Sequence, residues 1–447
     1  MIIPSIDLMD GQAVQLVQGR RKVLEAGDPR PLAERFGRVG EVAVVDLDAA
    51  LGRGSNAAVM AELCEIAPCR VGGGIRDLER ALEWLDRGAV KVVLGTAAVP
   101  EVLEGLPRDR VVAALDAWEG EVVVKGWTKR TGRTVYEGMR ELSGLAGSFL
   151  VTFVEGEGKE GGFPRDQIAP LVEAAGTSRL TVAGGVTTAE EVAWLDRAGA
   201  DAQVGMALYR GNLGLAEAFT APLRSERADG LWPTVVCDER GGALGLVWSS
   251  PDSVRTAIDE GIGVYHSRSR GLWRKGATSG AAQELLRIEA DCDRDALRFA
   301  VRQAGPGFCH EGDWTCFGPA QGLRKLEQTV KSRRARAVPG SLTSRLLEDG
   351  EFLRGKLVEE AGELGEAAST ARHGETSADR HGEAVADGHG EALTDRVVEE
   401  AADVIYFLTV ALERAGASLA DVEEELDRRS LKVKRRVASE PKGASDG

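Results

Sequence analysis

Short runs of aliphatic and β-branched residues punctuate the first 210 positions, at 2–7, 42–48, 70–75, 91–97, 110–117, 149–155, 180–186 and 201–208. Most are separated by stretches with helical spacing of apolar residues, such as 77–87 and 188–198. Strands that alternate with helices pair in parallel, and eight such units close into a barrel. The pattern therefore predicts an α/β protein whose N-terminal domain, 1–222, is a (β/α)8 barrel of the TIM type.

The barrel pattern also repeats itself. Gly73-Gly74-Ile75-Arg76 followed by Leu94-Gly95-Thr96 is echoed by Gly184-Gly185-Val186-Thr187 followed by Val204-Gly205-Met206. Ile6-Asp7 with Asp10-Gly11 is echoed by Leu115-Asp116 with Glu119-Gly120, and the offset stays near 110 residues. This is a two-fold repeat of a half-barrel.

Near 224–229 the alternation stops. Short strands at 234–237, 243–248, 263–266, 284–290 and 297–303 predict a small α+β domain, 228–320. The basic stretch 321–340 ends Val338-Pro339-Gly340 and reads as a linker. An all-α domain, 341–436, follows, with Ser341 or Thr343 as cap and helices at 344–369 and 395–415. Between these helices an insert, 370–394, repeats His-Gly-Glu at His373, His381 and His389; a repeat-expanded surface loop is favoured over a metal site. The tail 437–447 reads as disordered.

Composition changes this picture in three ways. The net charge of −15 over 447 residues removes nucleic acid as a general partner and leaves any phosphate to local features. Six cysteines without disulfide-like spacing point to reduced thiols or metal ligands and a cytoplasmic protein. The N-terminus reaches Asp7 without a basic region, so no signal peptide is expected, and no apolar run approaches the ~18 residues of a membrane span.

Such barrels carry their chemistry at the C-terminal strand ends. Asp7 and Asp116 fall there, on the first and fifth strands. Gly73, Gly74, Gly95 with Thr96, Gly184, Gly185 and Gly205 leave backbone N–H groups open to phosphate oxygens. Two cradles with two central acids suit an elongated bisphosphate, one acid protonating a ring oxygen while the other takes a proton from carbon. The motifs Ile3-Pro4-Ser5-Ile6-Asp7, Leu16-Val17-Gln18-Gly19, Val45-Asp46-Leu47-Asp48-Ala49, Gly52-Arg53-Gly54-Ser55-Asn56 and Gly72-Gly73-Gly74-Ile75-Arg76 resemble the histidine-pathway phosphoribosyl isomerase. The resemblance implies an Amadori rearrangement of an aminoaldose to an aminoketose, with Asp7 as base, Asp116 as acid and Trp127 stacking on the substrate. Two positions depart from that family: Gln15 stands where Arg is usual, and Glu157-Gly158-Lys159 where Asp-Gly-Thr is usual. Either Lys159 donates to the substrate instead, or the barrel has drifted in rate or specificity.

A second constellation lies in the α+β domain. In an extended segment Asp291, Asp293 and Asp295 face the same way, so three carboxylates can converge on one hard cation. Cys292, Cys309 and Cys316 can hold Zn²⁺ with its fourth position left for water, and His310 adds an imidazole. Arg268, Arg270 and Lys275 sit in a basic, hydroxyl-rich loop suited to phosphate. Together these features resemble phosphoribosyl-AMP cyclohydrolase. That implies zinc-activated water opening an adenine ring, Mg²⁺ at the triplet, His310 as a catalytic residue and a homodimer with shared sites.

The helical domain carries the third. Glu359, Glu360 and Glu363 on one helix, and Glu400 with Asp403 on another, place like charges where only a cation between them removes the penalty. Mg²⁺ held there would bind a polyphosphate. With Leu346-Leu347-Glu348-Asp349-Gly350 and Tyr406-Phe407-Leu408, the pattern resembles phosphoribosyl-ATP pyrophosphohydrolase, which implies a catalytic role for Glu360. The three resemblances converge on consecutive steps of histidine biosynthesis, in reverse order along the chain. Two rivals are weighed: a broader barrel isomerase that also serves tryptophan synthesis, and C-terminal helices that only oligomerise.

Overall fold

The computed structural model describes residues 1–19, 21–124, 126–127, 129–159, 161–374 and 388–433, with side chains left aside at 371–374 and 388–393. The His-Gly-Glu insert beyond its flanking helical turns, and the 437–447 tail, lie outside the described residues. Two compact units are present, the first holding Met1–Gly312 with the segment from Arg428 onward and the second Asp313–Asp427.

In the first unit, the strands Ile2–Met9, Val42–Asp46, Cys69–Gly72, Lys91–Leu94, Val111–Trp118, Ser148–Phe153, Arg179–Ala183 and Ala200–Val204 pair in parallel and close on themselves. Closure runs through Asp116 opposite Thr152 on one side and Ile3 opposite Gln203 on the other. The strands are largely buried, because helices cover the outer face and side chains fill the inside. The helices start where their caps predict. Asp77 accepts from the Arg80 amide before Leu78–Asp86, and Thr188 with Glu191 forms a capping box before Ala189–Arg197.

Two antiparallel hairpins extend this barrel, and the strand pattern in the sequence does not announce them. Gln12–Val17 and Arg21–Gly27 follow the first strand; Glu121–Val124 and Lys129–Thr134 follow the fifth. Their first turns match: Asp10 and Gly11 have φ of 52° and 75°, Glu119 and Gly120 of 52° and 78°. Such a double left-handed turn suits the twist of a hairpin. The half-barrel repeat is thus present in backbone conformation as well as in motif.

The α+β region of this unit is a six-stranded sheet in the spatial order Gly271–Arg274, Val264–Ser267, Ala243–Ser249, Trp232–Cys237, Leu297–Gln303, Gln283–Ala290. Its helix, Pro251–Glu260, begins at a Ser250 cap and buries Val254, Ala257 and Ile258. The basic stretch read as a loop is in fact largely a tight hairpin, in which Val264 to Ser267 pair residue by residue with Arg274 to Gly271.

The second unit is helical. Gly322–Ala335, Leu342–Glu348, Gly350–Gly374 and Gly388–Ala415 surround Val330, Leu346, Leu353, Phe407 and Val410. Ser341 caps the second of these through the Ser344 amide. The linker expected over 321–340 is corrected here: most of it is the helix Gly322–Ala335, which buries Val330 completely and Glu327 almost so. Its basic surface hides one apolar contact row.

Candidate active sites

The barrel's C-terminal strand ends enclose a cavity of about 800 Å³. Every residue expected there lines it: Asp7, Asp116, Trp127 and Lys159, with Gly73, Gly74, Gly95, Thr96, Gly184, Gly185 and Gly205. The glycines are required by shape. Gly73 has φ +90°, and a Cβ on it would lie 2.2 Å from the Asp46 carbonyl oxygen; at Gly184, φ +83°, it would lie 2.3 Å from that of Phe153. Only glycine lets the chain pass this close to its neighbour.

The acids sit deeper. Burial raises Asp7 to about 6, against a 3.2 Å hydrogen bond from the Ser5 hydroxyl. Burial also raises Asp116, opposed by hydrogen bonds from Trp127 and Thr152. A third carboxyl group shares the cavity. Glu157 is raised to about 8 by burial, then by the charges of Asp7 and Asp116. It keeps its proton at neutral pH, beside an Asp7 that ionises first. The sequence showed Glu157 only as a departure from a motif; its distance from the other two acids along the chain hid the interaction.

The first hairpin bends over this mouth. The Gln18 amide donates to the Glu157 carbonyl at 3.2 Å, and the Trp127 ring lies against Gly19. Gln15 is almost wholly buried against Gly205, and its Nε2 makes no hydrogen bond among the described residues. A second cavity, about 750 Å³, lies where the strands start; Glu41, Arg70, Lys91 and Arg179 line it, and none of the expected site residues does.

In the six-stranded sheet region, carboxylate oxygens of Asp291, Asp293 and Asp295 lie within 4.8 Å of one another. The neighbouring charge of Asp293, then burial and Asp291, raises Asp295. Arg268 and Arg270 are exposed on the hairpin, over the Trp248 and Trp273 rings at 5.9 and 5.3 Å. Lys275, expected on a loop, is buried over the Phe308 ring at 5.0 Å. Cys292 is exposed and Cys309 half-buried in the first unit, where His310 is also exposed; Cys316 belongs to the second unit.

In the helical unit, Glu360, Glu363 and Glu400 converge within 4.8 Å, Glu360 being buried. Glu400, then burial and Glu360, raises the Glu363 carboxyl. Glu359 and Asp403 are not in this group; Glu359 pairs with Lys356 at 2.9 Å.

Fold and cavity define a (β/α)8-barrel protein with an acid-lined, glycine-rimmed mouth and two appended modules. Family models match in the same order: "Histidine biosynthesis protein" over residues 1–214, "Phosphoribosyl-AMP cyclohydrolase" over 245–318 and "Phosphoribosyl-ATP pyrophosphohydrolase" over 323–430. A phosphoribosyl imidazole-4-carboxamide isomerase of Halobacterium salinarum is 40% identical over 233 residues, 49% of this chain and 96% of that protein. A histidine biosynthesis trifunctional protein of Neurospora crassa is 46% identical over 227 residues, 51% of this chain and 23% of its own length. A bifunctional one of Schizosaccharomyces pombe is 42% identical over 224 residues, 50% and 48%. The chain belongs to the family of histidine biosynthesis proteins. It spans about a quarter to a half of the length of these two fungal relatives.

Proposed function

We propose that the chain catalyses three consecutive steps of histidine biosynthesis. The helical module removes pyrophosphate from phosphoribosyl-ATP, the middle module opens the adenine ring of phosphoribosyl-AMP, and the barrel isomerises the resulting aminoaldose to an aminoketose. The observation that carries the barrel step is that Asp7 and Asp116 share one cavity with the glycine cradles of both half-barrels.

Asp7, ionising near 6, takes the proton from the substrate carbon beside the imine. Asp116 is the acid implied by the family resemblance. Glu157, protonated up to about pH 8, is a second acid for the ring oxygen, favoured by its retained proton. Trp127 stacks on the substrate, and Lys159 at the rim neutralises a phosphate. Gly73, Gly74, Gly95 and Thr96 hold one phosphate and Gly184, Gly185 and Gly205 the other.

Two cations enter this proposal. Three converging carboxylates suit Mg²⁺, both at Asp291, Asp293 and Asp295 and at Glu360, Glu363 and Glu400. Cys292, Cys309 and Cys316 are the thiols that the cyclohydrolase resemblance gives to Zn²⁺. Bound there, zinc would activate water and magnesium would neutralise phosphate charge. Arg268, Arg270 and Lys275 would hold the ribotide phosphate of the middle module, with His310 moving a proton. The convergence of Glu363 and Glu400 on the buried Glu360 favours a cation over solvated acids, and with it catalysis over mere oligomerisation. No helix among the described residues is long and apolar enough to cross a membrane; we place the protein in the cytosol, as a homodimer through its middle and helical modules. Feeding phosphoribosyl-ATP with Mg²⁺ and Zn²⁺ tests the whole proposal. Successive appearance of pyrophosphate, the ring-opened ribotide and the ketose is expected; absence of the ketose sinks the barrel assignment.

A further inference from the structure

The six-stranded sheet region carries its acidic triplet on a turn, 291–296, that departs from ordinary backbone at one residue. Arg294 has φ +69°, a left-handed conformation costly for any side chain with a Cβ. Its side chain shows what holds it there. Nη1 donates to the Asp291 carbonyl at 2.8 Å. Nε and Nη2 donate to the two carboxylate oxygens of Asp196, at 3.2 and 3.1 Å. Asp196 belongs to the barrel, on the helix Ala189–Arg197. The Arg294 carbonyl in turn accepts from the Arg224 amide at 2.7 Å. Both partners of the pair are largely shielded, with side-chain exposures of 17% and 12%, so solvent screens it weakly.

We propose that Asp196 is a positioning residue for the carboxylate triplet, acting through Arg294. The inference rests on the cation reading of Asp291, Asp293 and Asp295 given above. Three carboxylates repel one another and splay unless something outside them fixes the loop. Within the turn, the amides of Asp295 and Ala296 donate to Asp291 Oδ1 at 3.0 and 3.1 Å and fix one carboxylate. The Arg294 fork fixes the turn as a whole to a rigid barrel helix. The barrel thus orients ligands of a different module, 98 residues away along the chain. Nothing in the spacing of the acidic triplet reveals this second role.

The test uses the full chain with Mn²⁺ as the probe, titrated by electron paramagnetic resonance. A variant with Asp291, Asp293 and Asp295 all changed to Asn gives the binding due to other carboxylates. Asp196→Asn is expected to weaken the triplet's Mn²⁺ affinity about ten-fold or more, the usual effect of losing an outer partner of metal ligands. Arg294→Gly, which keeps the left-handed backbone at no steric cost, is expected to do the same. The double variant should bind no more weakly than Arg294→Gly alone, since Asp196 reaches the turn through Arg294, its other partner being the Met1 amine at 2.9 Å. Barrel isomerase turnover should stay unchanged in Asp196→Asn. Wild-type Mn²⁺ affinity in both single variants, or losses that add in the double variant, overturns the positioning role alone. If wild type and the triple Asn variant bind Mn²⁺ equally, the cation reading of the triplet fails and takes the inference with it.

Discussion

Replacing Glu157 with Gln isolates the electrostatic cost built into the barrel mouth. The carboxyl is raised from 4.5 to about 8, by burial first and then by the charges of Asp7 and Asp116. A shift of that size corresponds to ~5 kcal/mol at most between its protonated and ionised forms, less where the mouth admits water. The sign follows from linkage. Between pH 4.5 and 8 the unfolded chain has lost this proton while the folded barrel retains it, so the folded state binds more protons and stability falls as pH rises. Glu157→Gln removes the group from both states. The variant is therefore expected to match wild type near pH 4 and to exceed it by about 2–4 kcal/mol at pH 8.5, read as the midpoint of barrel unfolding in urea. The same change should remove the alkaline limb, near pH 8, from the isomerase pH profile if Glu157 is the acid; the limb near 6, owed to Asp7, should remain. A stability difference that does not change between pH 4 and 8.5 refutes the electrostatic coupling of the three acids.

Other consequences can be checked separately. Asp7→Asn should lower isomerase kcat about 10²- to 10⁴-fold with little change in KM, since it removes a proton acceptor and leaves the phosphate cradles in place. Gly73→Ala forces a Cβ onto the Asp46 carbonyl at positive φ, and a loss of at least ~2 kcal/mol in barrel stability is expected by thermal melting. Val330→Ala should destabilise the helical unit by about 2 kcal/mol, whereas a change in a true linker would cost nothing measurable by calorimetry. Glu360→Gln should cut Mg²⁺-dependent pyrophosphate release about ten-fold or more while leaving the isomerase assay unchanged.

Much of this protein was legible along the chain. All eight barrel strands, the helices over 77–87 and 188–198 and the cap at Ser341 follow from spacing, because side-chain periodicity and capping hydrogen bonds are local. The duplicated glycines and acids gave the cavity lining, since a half-barrel repeat puts matching strand ends on one rim. The hairpin strands Arg21–Gly27 and Lys129–Thr134 escaped that reading because they are almost wholly exposed and so carry no apolar alternation. The helix Gly322–Ala335 escaped because Val330 and a nearly buried Glu327 are its only fully enclosed side chains within a basic stretch.

The protonation of Glu157 and the clamp of Arg294 on Asp196 were decided by tertiary structure alone. Glu157 is 150 residues from Asp7 and 41 from Asp116 along the sequence, yet all three share one poorly solvated cavity. Charge interactions depend on separation through space and on the exclusion of water. Neither quantity exists until the strands close into a barrel.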